Sequence, residues 1–422
     1  MILKEKKVKA KKLVSLLTFL TIAFTNFTGC SIKSTKRDLS SLAVVIGIAI
    51  DKSDGDNRGF ETFGQEKDKI LMTVQVVRND SVGQQKSPGG ESGAGGEGDI
   101  GKPYWNVEAV GGNLLETIRA ASHITNRSLY LAQNQIVVIS SEIAKEGIAK
   151  YLDFFFRDHE TRYDVSLVIA EKSAGDILSV ESHLDNLPAQ DLYKLIKSQK
   201  KDSGVPECTL FSFIRDYKTQ YKSSLVPFVR VIEPEDKDKS PHLFVAGSSI
   251  FTDDKMVGIL DEKQTRGVLW VKDSINDGIL AVEHGETAVS LEIISSSGKF
   301  TAKYENGKIK VKSKVEATLS LGEYQGDGNF DSKTMKMLEK SCIDEIKKEI
   351  NEGFAKLKEN GADVFGVGDY FYRHDYKNWQ KISPNFNELY KNAELDIEVE
   401  AKIIRTGSLL KLLDIHPGGN NE

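Results

Sequence analysis

The N terminus carries the feature that most limits what the rest of the chain can be: an apolar segment that ends at one cysteine. Six lysines precede the apolar run LLTFLTIAFTNFTGC (residues 16–30), and the sequence turns polar directly after this run. A basic stretch, a short apolar stretch and then small residues are typical of an export signal. As a helix, Leu13 to Thr25 would span about 20 Å, less than the roughly 30 Å apolar core of a bilayer. We therefore predict that residues 1–29 are a cleaved signal and that residues 30–422 fold.

The end of this segment, Phe27 to Cys30, resembles the bacterial lipobox, in which the cysteine receives a diacylglycerol and becomes the first residue. Phe27 stands where leucine is usual. The alternative is a plain signal peptide with an incidental cysteine. We predict that Cys30 is lipidated and that residues 30–38 include a polar tether, since two acyl chains are enough for a stable membrane anchor.

The charge of the chain limits its partners. The formal net charge is −5, and loss of residues 1–29 removes six lysines and one glutamate, which gives −10 for the mature chain. An acidic balance argues against nucleic acid as a partner and gives no polybasic patch for anionic lipid headgroups. The sequence therefore predicts that membrane attachment comes from the lipid.

The mature chain is longer than one typical domain, which suggests two or three domains. Alternating strand and helix patterns over residues 39–186 predict an N-terminal mixed α/β domain. Residues 187–278 suggest a small middle α+β domain. Residues 279–422 predict a C-terminal antiparallel-sheet domain with one long helix. The predicted fold class is therefore α+β: a three-domain lipoprotein ectodomain with mixed and antiparallel sheets flanked by helices.

Several local patterns predict individual elements. Residues 39–51 and 69–79 are typical of neighbouring antiparallel strands, whereas apolar residues between 107 and 121 recur at helical spacing. The dipeptide Asn306-Gly307, with alternating residues on both sides, predicts a β-hairpin. One apolar stripe predicts a helix over residues 332–360, with Gly361 as its stop. The stripe contains Leu338, Cys342, Ile346, Ile350, Phe354 and Leu357.

The segment DVFGVGDYFYRHDYKNWQ, residues 363–380, mixes aromatic and charged side chains. We interpret it as a loop that Phe365, Phe371 and Trp379 hold against the third domain, since most buried aromatic rings fill cores. The alternative is a surface that binds a partner.

A glycine-rich segment at residues 81–101 has almost no apolar side chains, so it cannot bury enough surface to offset the entropy of ordering. We predict a disordered insertion that the fold does not need. Deletion that joins Ser81 to Gly101 should leave thermal unfolding nearly unchanged, because loop length affects closure entropy only weakly. A loss of more than about 2 kcal/mol would show that the segment packs.

Motifs for catalysis or metal binding are absent from the sequence. No two of the seven histidines stand at ligand spacing on one predicted helix, and Gly-x-Ser-x-Gly does not occur. A segment that begins at Asp54 resembles a calcium loop, but Arg58 stands where an oxygen ligand is needed. A disulfide between Cys208 and Cys342 is one interpretation, and two inert thiols are the favoured one. We predict no catalytic residue, no cofactor and no metal ligand, and only the diacylglycerol on Cys30.

Four blocks of the sequence carry a family resemblance. The chain resembles the C subunit of spore germinant receptors, the Ger(x)C or GerAC-like lipoproteins. Ser31 departs from the family, in which many members have tryptophan after the cysteine. The blocks follow the family's order over almost all of the mature chain: TGC with RDLSSLAVVIGIAID; NRSLYLAQNQIVVISSEIAKEGIAKYLDFFFRDHETRYDVSLVIAE; MVGILDEKQTRGVLWVKDSINDGIL; and GADVFGVGDYFYRHDYKNWQKISPNFNELYKNAELDIEVEAKIIRTG.

The resemblance implies a receptor made of an A subunit, a multi-pass B subunit and this lipid-anchored C subunit on the outer leaflet of the spore inner membrane. It also implies three domains and no catalysis, and it supplies no ligand-binding residues. The alternative from another class is the substrate-binding lipoprotein of an ABC importer, which needs two similar α/β lobes. A lipid-anchored enzyme is the third reading.

Overall fold

The computed structural model describes residues 41–55, 69–78, 102–181, 184–198, 203–219, 221–236, 240–284, 287–324 and 332–405. The predicted signal, Cys30, its tether and the glycine-rich segment lie outside these ranges. From Ala43 onwards the described residues belong to one compact unit.

The larger sheet has nine strands among the described residues, and β-branched residues dominate those at its centre. They are β1 (Leu42–Lys52), β2 (Ile70–Val77), β3 (Tyr104–Gly111), β4 (Ser128–Tyr130), β5 (Ile136–Ser140), β6 (Ser166–Ala170), β7 (Ser224–Ile232), β8 (His242–Thr252) and β9 (Lys255–Leu260). The order is β3-β2-β1-β5-β6-β7-β8-β9, and β4 pairs with β1. The predicted antiparallel pairing of the first two strands is confirmed.

Four neighbouring strands of this sheet, β1, β5, β6 and β7, run parallel. Gly47 pairs with Ile136, which in turn pairs with Ser166, and Ile169 pairs with Phe228. The four strands therefore begin at one edge of the sheet, called here the amino edge, and end at the opposite edge, called the carboxyl edge.

Helices cover both faces of the larger sheet, which explains why its central strands are buried on both sides. On one face α1 (Leu114–Ala121), α2 (Ser141–Glu146), α3 (Ala149–Arg157) and α6 (Leu210–Lys218) share a core with the sheet. On the other face the core includes α4 (Ala174–Ile177) and α5 (Pro188–Ser198). This part of the chain is a three-layer α/β/α structure.

The helical spacing between residues 107 and 121 predicts one element where the structure has two. Val107 and Val110 belong to β3, and the helix begins at Leu114 after a side-chain cap by Asn113. Gly111 ends the strand, and Gly112 and Asn113 separate it from the helix; glycine disfavours continuation of either element. The helical prediction is therefore wrong for residues 107–111.

The smaller sheet has the order β10-β11-β12-β13, with β10 (Ile279–His284), β11 (Thr287–Glu305), β12 (Lys308–Tyr324) and β13 (Glu394–Arg405). Asn306 and Gly307 both have positive φ, at 51° and 79°, and close the predicted hairpin. The last strand pairs parallel to β12, so this sheet is mixed and not wholly antiparallel. The chain returns through a helical crossover, which allows the parallel direction.

The long helix α8 (Ser332–Glu359) confirms the prediction, because every residue of the predicted stripe is buried. Gly361 follows it with φ of 62°, a conformation that favours glycine and ends the helix. Against the smaller sheet and this helix lies α7 (Glu262–Val271), and together they form a third core.

The aromatic segment is helical, so its prediction as a loop is wrong. It forms α9 (Val367–His374) and α10 (Tyr376–Ile382), followed by α11 (Phe386–Lys391). Asp375 supplies the cap at which α10 begins, a role that a sequence reading dominated by aromatics misses. Phe365, Phe371 and Trp379 are buried as predicted.

The fold is α+β with mixed sheets flanked by helices, as the sequence predicts. Strands from both sides of the expected boundary at residues 186 and 187 lie in the larger sheet. The division into three domains stays a prediction.

Candidate functional site

The carboxyl edge of the larger sheet is where a ligand is expected, because open α/β sheets bind ligands beyond the carboxyl ends of their parallel strands. Two cavities of about 550 Å³ and 390 Å³ lie there, and they share part of their lining. The shared residues follow β6 and are Glu171, Lys172 and Ser173.

The chain's own carboxylate holds the backbone amides at this edge. Asp51, the second-last residue of β1, accepts hydrogen bonds from the amides of Ala174 at 2.7 Å and Gly175 at 2.8 Å. Burial raises the pKa of Asp51 above its usual value, although the hydrogen bonds from the two backbone amides lower it. These two amides are therefore already bound and cannot hold an anionic ligand.

Charge at the carboxyl edge also disfavours an anion. The larger cavity is lined by four carboxylates and two lysines. One of these lysines, Lys52, pairs with Glu146 at 2.5 Å and lies 3.5 Å from Glu142. An excess of negative charge repels phosphate and nucleotide ligands. This edge lacks the character of a nucleotide site despite its position.

A buried ion pair joins α7 to α8. Arg266 donates to both carboxylate oxygens of Glu349, with Nε at 3.0 Å from Oε2, and it donates from NH1 to the carbonyl of Ile279 at 2.8 Å. The indole of Trp270 donates to the same carboxylate at 3.0 Å. Glu349 is fully buried and Arg266 is 7% exposed. Every charge in this cluster is paired, as a buried pair requires.

Two glycines allow the helices to approach closely enough for this pair. A Cβ on Gly267 would lie 1.9 Å from the carbonyl oxygen of Glu349, and one on Gly353 would lie 2.6 Å from that of Gln264. These are backbone atoms that a side chain cannot displace. In the α7 sequence TRG (residues 265–267), Gly267 therefore allows the close contact with α8, and Arg266 supplies the positive charge that pairs with Glu349.

A second buried carboxylate organises the start of α9. Asp363 accepts hydrogen bonds from the backbone amides of Gly366, Val367 and Gly368 at 2.7 to 2.9 Å. Burial raises its pKa to about 6, and the three amide bonds only partly oppose this. Its carbonyl also accepts from the amide of Ser223, just before β7. Asp363 thus connects the smaller-sheet region to the amino edge of the larger sheet.

Lys272 lies at the same junction. Its Nζ donates to the carbonyl of Val364 at 3.1 Å, and its pKa falls to about 8, mainly because the ammonium group is withdrawn from water. Nearby, Asp216 pairs with Lys222 at 2.8 Å and with Arg215 at 3.1 Å. The arrangement is a charge network that holds two parts of the fold together.

The two remaining cysteines agree with the interpretation that both are inert thiols. Cys208 and Cys342 are free and buried, and burial raises the pKa of each to about 12. A thiol with so high a pKa is inert at neutral pH. The disulfide interpretation is wrong.

Within the described ranges, His, Cys, Asp and Glu side chains form no group of three or more suited to a metal ion. Across the same ranges, no helix combines the length and apolarity needed to cross a bilayer. Cys30, the one predicted modification site, lies outside them. Sequence reasoning missed Asp51, Arg266, Glu349 and Asp363, since their partners are distant in sequence or are backbone amides.

Comparison with solved structures gives a match to the crystal structure of the GerBC protein. The TM-score is 0.53 at 18% identity, over 85% of this chain and 97% of that one. This likeness supports the fold.

Curated relatives come from Bacillus subtilis (strain 168). Spore germination protein KC is 27% identical over 88% of this chain and 91% of its own length. Spore germination protein YndF is 24% identical over 96% and 99%, and spore germination protein B3 is 21% identical over 89% and 94%.

Two family models match in chain order. Residues 35–231 match the spore germination protein N-terminal domain, and residues 246–407 match "Spore germination B3/ GerAC like, C-terminal". Together these matches span both sheets and most of the sequence. The chain therefore belongs to the GerAC-like family of spore germination proteins.

Proposed function

We propose that this chain is the non-catalytic C subunit of a spore germinant receptor and acts with membrane-embedded A and B subunits in nutrient-triggered germination. Diacylglycerol on Cys30 anchors it to the outer leaflet of the spore inner membrane. The observation that carries the proposal is the match of both family domains, together with near full-length similarity to relatives named spore germination proteins KC and B3.

The geometry of the described residues supports a binding role over catalysis. At the carboxyl edge, where a ligand of an α/β sheet is expected, Asp51 holds the amides of Ala174 and Gly175. The buried carboxylates Glu349 and Asp363 are bound by an arginine and by backbone amides. These groups contribute to the fold and leave no pair of titratable side chains poised for acid and base chemistry.

The importer alternative has less support from the fold. A binding protein that clamps its ligand needs two similar α/β lobes. Here one sheet has nine strands with helices on both faces, and the other has four strands in the order β10-β11-β12-β13. The two halves therefore differ in both strand number and topology.

The anchor is tested by Cys30→Ala. We expect the variant to leave the membrane fraction or to stay unprocessed, because the acyl chains provide the attachment. Fractionation followed by immunoblotting measures the distribution, and Cys208→Ala is the control that should remain bound. Membrane-bound mature protein whose Cys30 is shown by mass spectrometry to be unmodified would contradict the proposed anchor.

A thermal-shift screen separates the receptor subunit from the importer protein. We expect amino acids, sugars and nucleosides to leave the unfolding temperature of the purified chain unchanged, because ligand recognition would need the membrane partners. A micromolar site would stabilise the fold by about 2.7 kcal/mol at a hundredfold ligand excess. One saturable, concentration-dependent stabilisation would favour the importer alternative.

A further inference from the structure

Two tyrosines stand exposed on α9 and α10 beside aromatic rings that are buried. Tyr372 is 57% exposed and Tyr376 is 54% exposed, and their rings meet edge to face with centroids 5.7 Å apart. On the same two helices, Phe371 and Trp379 point into the core. Phe371 and Trp379 account for the packing of the two helices against the core. The exposure of Tyr372 and Tyr376 is not explained by that packing.

Cations accompany the tyrosines. Arg373, Lys377 and Lys381 are exposed on the same helices, and Arg373 pairs with Asp369 at 3.0 Å. Tyrosine favours the boundary between the acyl chains and the headgroups, where its ring is in an apolar layer and its hydroxyl stays wet. Lysine and arginine near that boundary attract anionic headgroups. We name the surface formed by these five side chains the tyrosine face.

The tyrosine face belongs to helices that pack at the amino edge of the larger sheet. Trp379 of α10 packs edge to face on Tyr221, with ring centroids 4.8 Å apart. Tyr221 precedes the first residue of β7 by three positions. Strand β1 begins at the same edge, three strands away, which is about 14 Å at the usual strand spacing. The chain therefore enters the sheet on the side where these helices pack.

Chain length then limits how far this edge can stand from a membrane, a step that rests on the proposed lipid anchor. Ten residues, 31–40, separate Cys30 from the first described residue. Fully extended, such a segment spans at most about 40 Å. With that anchor, the start of β1 stands within about 40 Å of the bilayer surface. Anionic headgroups repel the acidic carboxyl edge, which favours the amino edge as the one nearer the membrane.

We propose that the tyrosine face lies on the headgroup layer of an anionic membrane and orients the anchored chain. The two rings enter the boundary layer while Lys377 and Lys381 contact phosphate groups. A protein partner is the other class of occupant for an exposed patch of tyrosine and arginine. The combination of anchor position, paired rings and flanking cations favours the lipid surface.

The test uses the full lipidated chain in vesicles of phosphatidylglycerol and phosphatidylcholine. Because Cys208 and Cys342 are buried, one introduced cysteine can be labelled selectively. Lys377→Cys carries an environment-sensitive fluorophore on the tyrosine face, and Lys172→Cys carries it at the carboxyl edge as the matched control. Acyl chains brominated near the headgroup quench a label that lies in the boundary layer.

We expect quenching at position 377 and none at 172. Tyr372→Ala with Tyr376→Ala should reduce the quenching at 377 to the control level, while the protein still floats with the vesicles. Protein that fails to float contradicts the anchor, whereas floating protein without quenching at 377 overturns the tyrosine face alone. Protection of position 377 only when membrane subunits are added would also overturn it, and would assign the face to a protein partner.

Discussion

Replacement of Arg266 by methionine is expected to lower the free energy of unfolding by about 3–5 kcal/mol. The substitution removes three of the hydrogen bonds in the cluster and leaves the fully buried Glu349 with the indole of Trp270. An unpaired charge in a dry site is among the most destabilising changes a protein undergoes. Denaturant titration of the purified chain measures the loss.

The double variant Arg266→Met with Glu349→Leu should recover much of that loss, since two apolar side chains can replace a buried ion pair at small cost. The matched control is Lys263→Ala. It breaks another ion pair between α7 and α8, at 3.4 Å from Glu345, in which Lys263 is exposed. An exposed pair contributes at most about 1 kcal/mol. Equal losses for Arg266→Met and Lys263→Ala would contradict the account of this junction.

Asp363→Ala is expected to cost about 3–6 kcal/mol, because three buried backbone amides lose their acceptor together. The same substitution loosens the start of α9 and its link to β7. Asp369→Ala is a suitable control, since that carboxylate pairs with Arg373 at the surface of the same helix. If both variants unfold at the same denaturant concentration, Asp363 does not organise this junction.

Acidity provides a second test of the same residue. The pKa of Asp363 is raised to about 6 in the fold from an ordinary 3.8, so its ionisation opposes folding. The contribution of the raised pKa to the free energy of unfolding is complete below pH 3.8, the ordinary pKa, and is lost as the pH rises through about 6. Between pH 7 and pH 5 the wild-type chain should gain about 1.4 kcal/mol relative to Asp363→Asn. A difference between the two proteins that is independent of pH would refute the assignment.

The sequence predicts elements whose signal is local. Asn306-Gly307 has the backbone preferences of a tight hairpin, and the stripe from Leu338 to Leu357 repeats at helical spacing, so both are confirmed. Prediction from apolar spacing fails where a few apolar residues are compatible with both a helix and a strand, as Val107 and Val110 are in β3.

Non-local features escape the sequence for a physical reason. The direction of β13 depends on the crossover through α8 to α11, and its own alternation fits either direction. Arg266 and Glu349 are 83 residues apart, so neither identifies its partner. Asp51 and Asp363 bind backbone amides, which any residue type provides. The buried charges that organise the fold are therefore the part that the sequence alone could not reveal.

The most direct test of the central claim is purification of the lipidated chain from spore inner membranes in mild detergent, with an affinity tag placed in the glycine-rich segment at residues 81–101. The account predicts that multi-pass membrane subunits elute with it in a fixed ratio, and that Cys30→Ala lowers their yield. Elution of the intact lipidated chain without membrane subunits, together with saturable binding of a small ligand, would contradict it.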